Sequence, residues 1–301
     1  MSTNVMPVGS LSRDQVRSIL TAAAAVPSAR DADSWRLDCT PTAFELRADL
    51  PGPAGMVDEC RERLLSGGAA LLNLRVAVRS LGVHPAVRLM PDAAEPDLLA
   101  VVRPQGGIPA TPTDRDLAQA IARGQSNGRA SAACAIPLPL VNRLRQAARI
   151  EQTWMAVLPS TQLRALGGLA GRVESADVDG PESLVAVIGS FHDVPLAWLQ
   201  AGQGTQRVLL TATAAGLHAA PMPQMVNLPG VRRQLRRLIG GGLWPQAVMR
   251  LGESPAIGSV GRRDPREGNA RHPARRLPRV QCPDSAAAVR AGRSVTADYE
   301  E

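Results

Sequence analysis

The chain has 301 residues and a formal net charge of +7, and all 34 of its basic side chains are arginine. Without lysine there is no Walker A loop, no kinase-type phosphate lysine and no Schiff-base chemistry. Any phosphate must be held by arginine, backbone N–H groups or hydroxyls. No run approaches the roughly 18 consecutive apolar residues of a membrane span. The opening Met1-Ser-Thr-Asn-Val-Met-Pro7 has neither a basic n-region nor an apolar h-region, so a cytoplasmic location without membrane partners is expected.

Ser12-Arg-Asp-Gln15 has the form of a capping box and opens a helix predicted to run to about residue 25. Trp35-Arg-Leu-Asp-Cys39 and Ala43-Phe-Glu-Leu-Arg47 read as a strand pair separated by Thr40-Pro-Thr42. A long helix is predicted over 57–81, stopped at Gly82. Residues 87–90 and 98–102 are apolar strand-like runs, the second short enough to be buried. Gln105-Gly-Gly-Ile-Pro-Ala-Thr-Pro-Thr113 is the clearest linker. Beyond it the pattern predicts helices at 114–123 and 138–149, a strand at 154–158 and a further helix. A strand at 184–188 and a long helix over 195–215, ending at Gly216, follow. A basic helix then carries Arg232-Arg233 and Arg236-Arg237, ahead of Leu243-Trp-Pro-Gln246-Ala-Val-Met-Arg250. From about 254 the chain is rich in Arg, Gly and Pro with almost no apolar periodicity, and is expected to be extended or disordered.

Two segments repeat at an offset of 134: one begins at Gly68 and closes at Gly82, the other begins at Gly202 and closes at Gly216. Trp35 and Trp154 each follow an Ala-rich helix and open a strand. The simplest account is an α+β unit present twice, residues 1–110 and 111–253, followed by a basic tail over 254–301. The two halves would form an intramolecular pseudo-dimer with the long helices central. Two Ala/Leu helices can also look alike without common origin.

The charge does not read as a nucleic-acid footprint. Nine of the arginines, against six acids, fall in 261–301, and the chain has only four Trp, two Phe and one Tyr to act as stacking platforms. Cys39, Cys60, Cys134 and Cys282 show no CxxC spacing, and His84, His192, His218 and His272 are dispersed, so no metal is expected.

Several short segments carry more chemistry. Val26-Pro27-Ser28-Ala-Arg30-Asp31-Ala-Asp33-Ser34-Trp35 precedes the first strand, and Arg123-Gly-Gln-Ser126-Asn127-Gly-Arg129 follows a helix. His218-Ala219-Ala220-Pro221-Met222 follows the second long helix, and Gly261-Arg262-Arg263-Asp-Pro265 lies in the tail. In this order, over roughly 12–265, they resemble the Acg family of FMN-binding, nitroreductase-like oxidoreductases.

The resemblance implies a nitroreductase-like fold with FMN as cofactor and NAD(P)H as co-substrate. Arg123, Ser126, Asn127 and Arg129 would hold the phosphate, and Arg262 and Arg263 would close the site. Pro27, Ser28, Arg30 and Asp31 would line the ribityl chain and ring, and the backbone of Ala219, Ala220, Pro221 and Met222 would meet the flavin O4/N5 edge. The implied reaction is ping-pong hydride transfer to a small-molecule acceptor, a nitro compound or quinone. The flavin carries the chemistry, with no side chain needed as acid or base.

The pattern departs from the family in places. Asp31 stands at the family's Asn, Asp33 at its Gln and Ser34 at its Pro, while Gly124 and Gly128 fall where relatives often have Arg. An ionised carboxylate only accepts hydrogen bonds, whereas an amide also donates. A non-catalytic FMN-holding protein, or a relative that has lost FMN, therefore stays open beside the enzyme. So does a remoter serine hydrolase, because Gly124-Gln-Ser126-Asn-Gly128 satisfies G-x-S-x-G, with Asp193 and His218 as its best partners. The chain is expected to be a monomer with its internal pseudo-dimer, or a homodimer.

Overall fold

Ser12 caps the first helix, α1 (Arg13–Ala24): its Oγ accepts from Gln15 N at 3.4 Å, and its own N–H donates to Gln15 Oε1 at 2.9 Å. The computed structural model describes residues 6–26, 35–50, 57–123, 136–158, 162, 184–253 and 280–281. α1 buries Val16, Ile19, Leu20 and Ala23, one stripe at helical spacing. β1 (Trp35–Cys39) and β2 (Phe44–Ala48) pair antiparallel, and both alternate buried with half-buried residues. Trp35, Leu37, Cys39, Phe44, Leu46 and Ala48 form a core with α1 and α2 (Val57–Ser80). On the opposite face Arg47 donates to Asp97 at 3.0 Å and to Glu45 at 3.1 Å.

α2 stops at Gly82, whose φ of +76° suits glycine. β3 (Val83–Leu89) and β4 (Leu98–Gly107) complete a sheet of order β3-β4-β2-β1-β9, in which β9 (Val280–Gln281) runs parallel to β1. The apolar run 98–102 is fully buried in β4, as its composition predicts. Two boundaries differ from expectation. β3 begins four residues earlier than its apolar run, and β4 continues into the expected linker, because Val83 pairs with Gly107 and His84 with Gln105. Pro85 is accommodated there because β3 is an edge strand.

Thr111 and Asp114 form a second capping box, with Pro112 in the first turn, so α3 (Pro112–Ala122) starts two residues before the predicted position. α4 (Leu138–Ile150), β5 (Trp154–Leu158), β6 (Leu184–Ser190) and α5 (Pro195–Ala214) lie close to their predicted places. β7 (Leu217–Pro221), α6 (Gln224–Asn227), α7 (Pro229–Leu238) and β8 (Trp244–Glu253) follow. The second sheet has the order β5-β6-β8-β7 and is antiparallel throughout. β6 is apolar on both faces because both are covered. Val185 and Val187 meet Met222, Met225, Val231 and Leu235, while Ala186 and Ile188 meet Leu144, Ala148, Val208 and Ala212.

The architecture is α+β. Setting α1-β1-β2-α2-β3-β4 against α4-β5-β6-α5-β7-β8 gives the same strand order in the two sheets. α2 and α5 pack against each other, and α3 packs against both. Trp198 and Leu199 of α5 enter the first sheet's core, and Leu210 joins Leu72, Val76, Leu117 and Ile121. Among the described residues, no helix is long and apolar enough to cross a membrane.

Candidate functional site

Asn73 is fully buried in the middle of α2, and a buried amide must find partners. Its Nδ2 donates to the carbonyls of Ala22 at 3.1 Å and Ala25 at 3.0 Å, and its Oδ1 accepts from Gln206 Nε2 at 2.8 Å. The Ala22 carbonyl also accepts from the Ala25 N–H at 3.1 Å in the helix C-cap, and the Ala25 carbonyl, beyond the end of the helix, takes its donor from α2. The chain therefore leaves α1 at a place set by both central helices, with Val26 buried. Pro27, Ser28, Arg30 and Asp31 come next in sequence and lie outside the described residues, as do Ser126, Asn127, Arg129, Arg262 and Arg263. Arg123 is described: it ends α3, exposed, with Nη2 donating to Gln119 Oε1 at 3.4 Å.

Ala219, Ala220 and Pro221 belong to β7, a strand formed because β8 offers its edge, in register from Leu217 opposite Glu253 to Pro221 opposite Met249. β7 is the last strand of its sheet. The bond from Met222 N to Val248 O at 2.8 Å sets the alternation, so Ala219 and Pro221 turn their backbone groups away from β8. Proline has no N–H to lose on that open side. The side chains of Ala219 and Ala220 are methyl groups on half-buried positions, and Met222 is buried in the core behind.

Arg61 reaches this region from the start of α2 and is 0 % exposed. Its Nη2 donates to Val226 O at 3.0 Å and Asn227 Oδ1 at 3.4 Å, both on α6, and lies 3.5 Å from Asp58. Among the described residues, its Nε and Nη1 are buried without a partner. Burial lowers the Arg61 pKa, and the neighbouring Arg232 charge adds to the effect. The adjoining carboxylate is Asp193, in the turn between β6 and α5. It accepts from Trp198 Nε1 at 2.6 Å, Arg232 Nη1 at 3.0 Å and Nη2 at 2.7 Å, and Gln246 Nε2 at 3.0 Å. Burial by itself would raise the Asp193 pKa, but hydrogen bonds from Arg232, Gln246 and Trp198 outweigh it and hold the group below its ordinary range. Gln246, on β8, also donates to Ser190 Oγ at 3.0 Å, and Arg236 lies 3.6 Å from the centroid of the Trp244 ring.

Sequence reasoning did not single out Arg61, Asn73 or Gln206. Their signal was polarity at helix positions otherwise apolar or small, which identifies a buried hydrogen-bond group but not its partner. The hydrolase alternative lacks its context, because helix α3 rather than a strand precedes Ser126 and Asp193 is committed to Arg232.

No protein-family model matches the sequence. Proteins from two strains of Mycobacterium tuberculosis, each named "Putative NAD(P)H nitroreductase", are 29% identical to it over 297 residues, covering 80% of this chain and 86% of theirs. Among solved structures, a protein of Desulfovibrio desulfuricans described as a "putative nitroreductase in complex with fmn" is 20% identical, with a TM-score of 0.39, covering 52% of this chain and 97% of that one. The NADPH:FMN oxidoreductase of Vibrio harveyi complexed with NAD+ is 19% identical, with a TM-score of 0.39, covering 54% and 80%. By sequence, over four-fifths of its length, this chain is similar to proteins named as NAD(P)H nitroreductases.

Proposed function

We propose that this chain is an FMN-dependent oxidoreductase of the Acg type that uses NAD(P)H to reduce nitro compounds or quinones. The observation that carries this reading is the similarity over 80% of the chain to proteins named as NAD(P)H nitroreductases. Two features of the described residues fit a flavin. The outer edge of β7 offers backbone groups beside methyl side chains, where a planar ring can approach closely. Next to it, Arg61 and Arg232 exceed the buried carboxylate supply, and Arg61 retains unmet donors, which suits an electron-rich partner.

Ala219, Ala220, Pro221 and Met222 would meet the ring edge, and Pro27, Ser28, Arg30 and Asp31 would follow the ribityl chain. Arg123, Ser126, Asn127 and Arg129, with Arg262 and Arg263, would hold the phosphate. The chemistry FMN supplies when bound is acceptance of a hydride from NAD(P)H and its delivery to the acceptor. The protein's own part is positional: Asn73 and Gln206 fix the departure point of the segment after α1, and Arg61 ties α6 to α2.

The two halves, 1–110 and 111–253, read as copies of one unit, supported by their common strand order and by Gly68 meeting Gly202 at the helix crossing. Residues 25–34 join α1 to β1, whereas only Glu151, Gln152 and Thr153 join α4 to β5. The second junction has no room for a Pro-Ser-to-Trp element, which favours a single flavin site in a monomer.

The test is the visible absorbance of the purified protein after incubation with FMN and desalting. Retained, protein-perturbed flavin bands that bleach on adding NADPH or NADH support the proposal. A colourless protein overturns it. Retained flavin that neither nicotinamide reduces would move the reading to a non-catalytic FMN holder.

A further inference from the structure

We infer that a second site, a phosphate-binding cleft of about 260 Å³, lies between the C-terminal part of α2, α3, β3 and α5. Its charged lining is Arg75 and Arg79 from α2, Arg207 from α5, Asp114 from α3 and, at its mouth, the exposed His84 of β3. The cleft is separate from the buried Arg61: Arg75 and Arg79 stand 14 and 18 residues beyond it, roughly 21–27 Å along the helix.

The charges leave a surplus. Arg79 is paired with Asp114 at 2.8 Å. Arg75 and Arg207 share one carboxylate, Glu151, whose side chain is 4 % exposed. Arg75 Nη1 is 2.6 Å from its Oε2, and Arg207 Nε is 2.7 Å from its Oε1. Two guanidiniums on one carboxylate carry a net positive charge at the wall of the cleft. A guanidinium has five N–H donors in a planar fork. Among the described residues, Arg75 commits Nη1 to Glu151 and Gln203, and Arg207 commits Nε and Nη2 to Glu151, so each has donors left for an incoming anion. The volume falls below the roughly 300–1,000 Å³ of sites for drug-sized ligands. It suits an oxyanion, either free phosphate or the phosphate end of a nucleotide.

The position of this cleft follows from the two related helices. Arg207 stands 134 residues after Asn73. Asn73 ties the end of α1 through neutral carbonyls, while Arg207 ties the end of α4 through Glu151, its C-cap residue. The same helix position is thus neutral on one side of the α2–α5 pair and charged on the other. The charged side is the one where the helix-to-strand junction is only three residues long.

The experiment is isothermal titration of the full chain at low salt with inorganic phosphate and, separately, with adenosine 2′,5′-bisphosphate. Saturable binding of one equivalent is expected. Arg75→Gln should weaken it at least tenfold, since one charge-assisted hydrogen bond contributes about 1.5 kcal/mol or more. His84→Glu, a change at an exposed edge position that leaves the core untouched, should abolish it by placing a carboxylate at the mouth. Equal affinity for the two ligands assigns the site to free phosphate, and much tighter nucleotide binding assigns it to a nucleotide. No saturable heat with either ligand at about 1 mM, where binding would be worth about 4 kcal/mol, or unchanged affinity in both variants, overturns the inference.

Discussion

Gly68 and Gly202 face each other where α2 and α5 cross, and neither position has room for a side chain. A methyl on Gly68 would collide with the Leu199 carbonyl and stand 3.0 Å from Gly202 Cα, and one on Gly202 would collide with the Leu65 carbonyl and stand 3.0 Å from Gly68 Cα. The obstructing atoms are backbone, so only separation of the helices could relieve the clash. Gly68→Ala and Gly202→Ala should each destabilise the fold by about 2–3 kcal/mol, read from urea unfolding midpoints. The double variant should cost less than the sum, because one separation accommodates both methyls. A loss under about 0.5 kcal/mol in either single variant would show that the crossing is not this tight.

Asp193 links stability to acid. Its folded pKa lies below the 3.8 of an unperturbed aspartate, so between those two values the unfolded chain binds the extra proton. Its contribution is fully present above about pH 5 and disappears as the pH falls through 3.8 to the folded value. Asp193→Asn should cost about 2 kcal/mol at pH 7, by replacing a charge-assisted bond to Arg232 with a neutral one. The difference from wild type should shrink as the pH falls below 3.8 toward the folded value. Parallel stability curves across that range would contradict the assignment.

Asn73→Leu keeps the volume but removes the side-chain donor to the carbonyls of Ala22 and Ala25, of which Ala22 retains only the Ala25 N–H, and the acceptor of the Gln206 amide. A loss of about 2–3 kcal/mol is expected. Hydrogen exchange should quicken first at the end of α1. If FMN binds as proposed, its affinity should fall together with protection in that segment, and unchanged affinity would separate the latch from the site.

Arg61 behaves in the opposite sense. A buried, half-satisfied guanidinium costs stability, so Arg61→Met should leave the apo-protein within about 1 kcal/mol of wild type or make it more stable. FMN affinity should nevertheless drop at least tenfold, measured by quenching of flavin fluorescence. A variant that loses stability and retains full FMN affinity would make Arg61 a purely structural tie to α6.

Asp31→Asn with Asp33→Gln restores donors and removes two negative charges from the segment proposed to meet the flavin. FMN should bind about tenfold tighter, the effect of one or two added hydrogen bonds. No gain would exclude these two carboxylates as the reason for any weak binding.

Local chemistry was legible in the sequence. The capping box at Ser12, the β1–β2 strand pair, and the helix stops at Gly82 and Gly216 depend on neighbours within a few residues, and each stands where the residues predict it. The offset of 134 between the two long helices was visible for the same reason, since small residues recur at fixed spacing along one helix face. What the sequence could not supply was the partner of each buried polar group. Asn73 meets Gln206 across 133 positions and Arg61 meets Val226 across 165, and no periodicity specifies such pairs. The same holds for β7 and the start of β3, strands of weak intrinsic signal that form because β8 and β4 offer edges to pair with. Helix starts, stops and apolar faces arise from short-range sterics and hydrogen bonding. The latch, the buried arginine and the phosphate cleft exist only once the tertiary fold brings α2 and α5 into backbone contact.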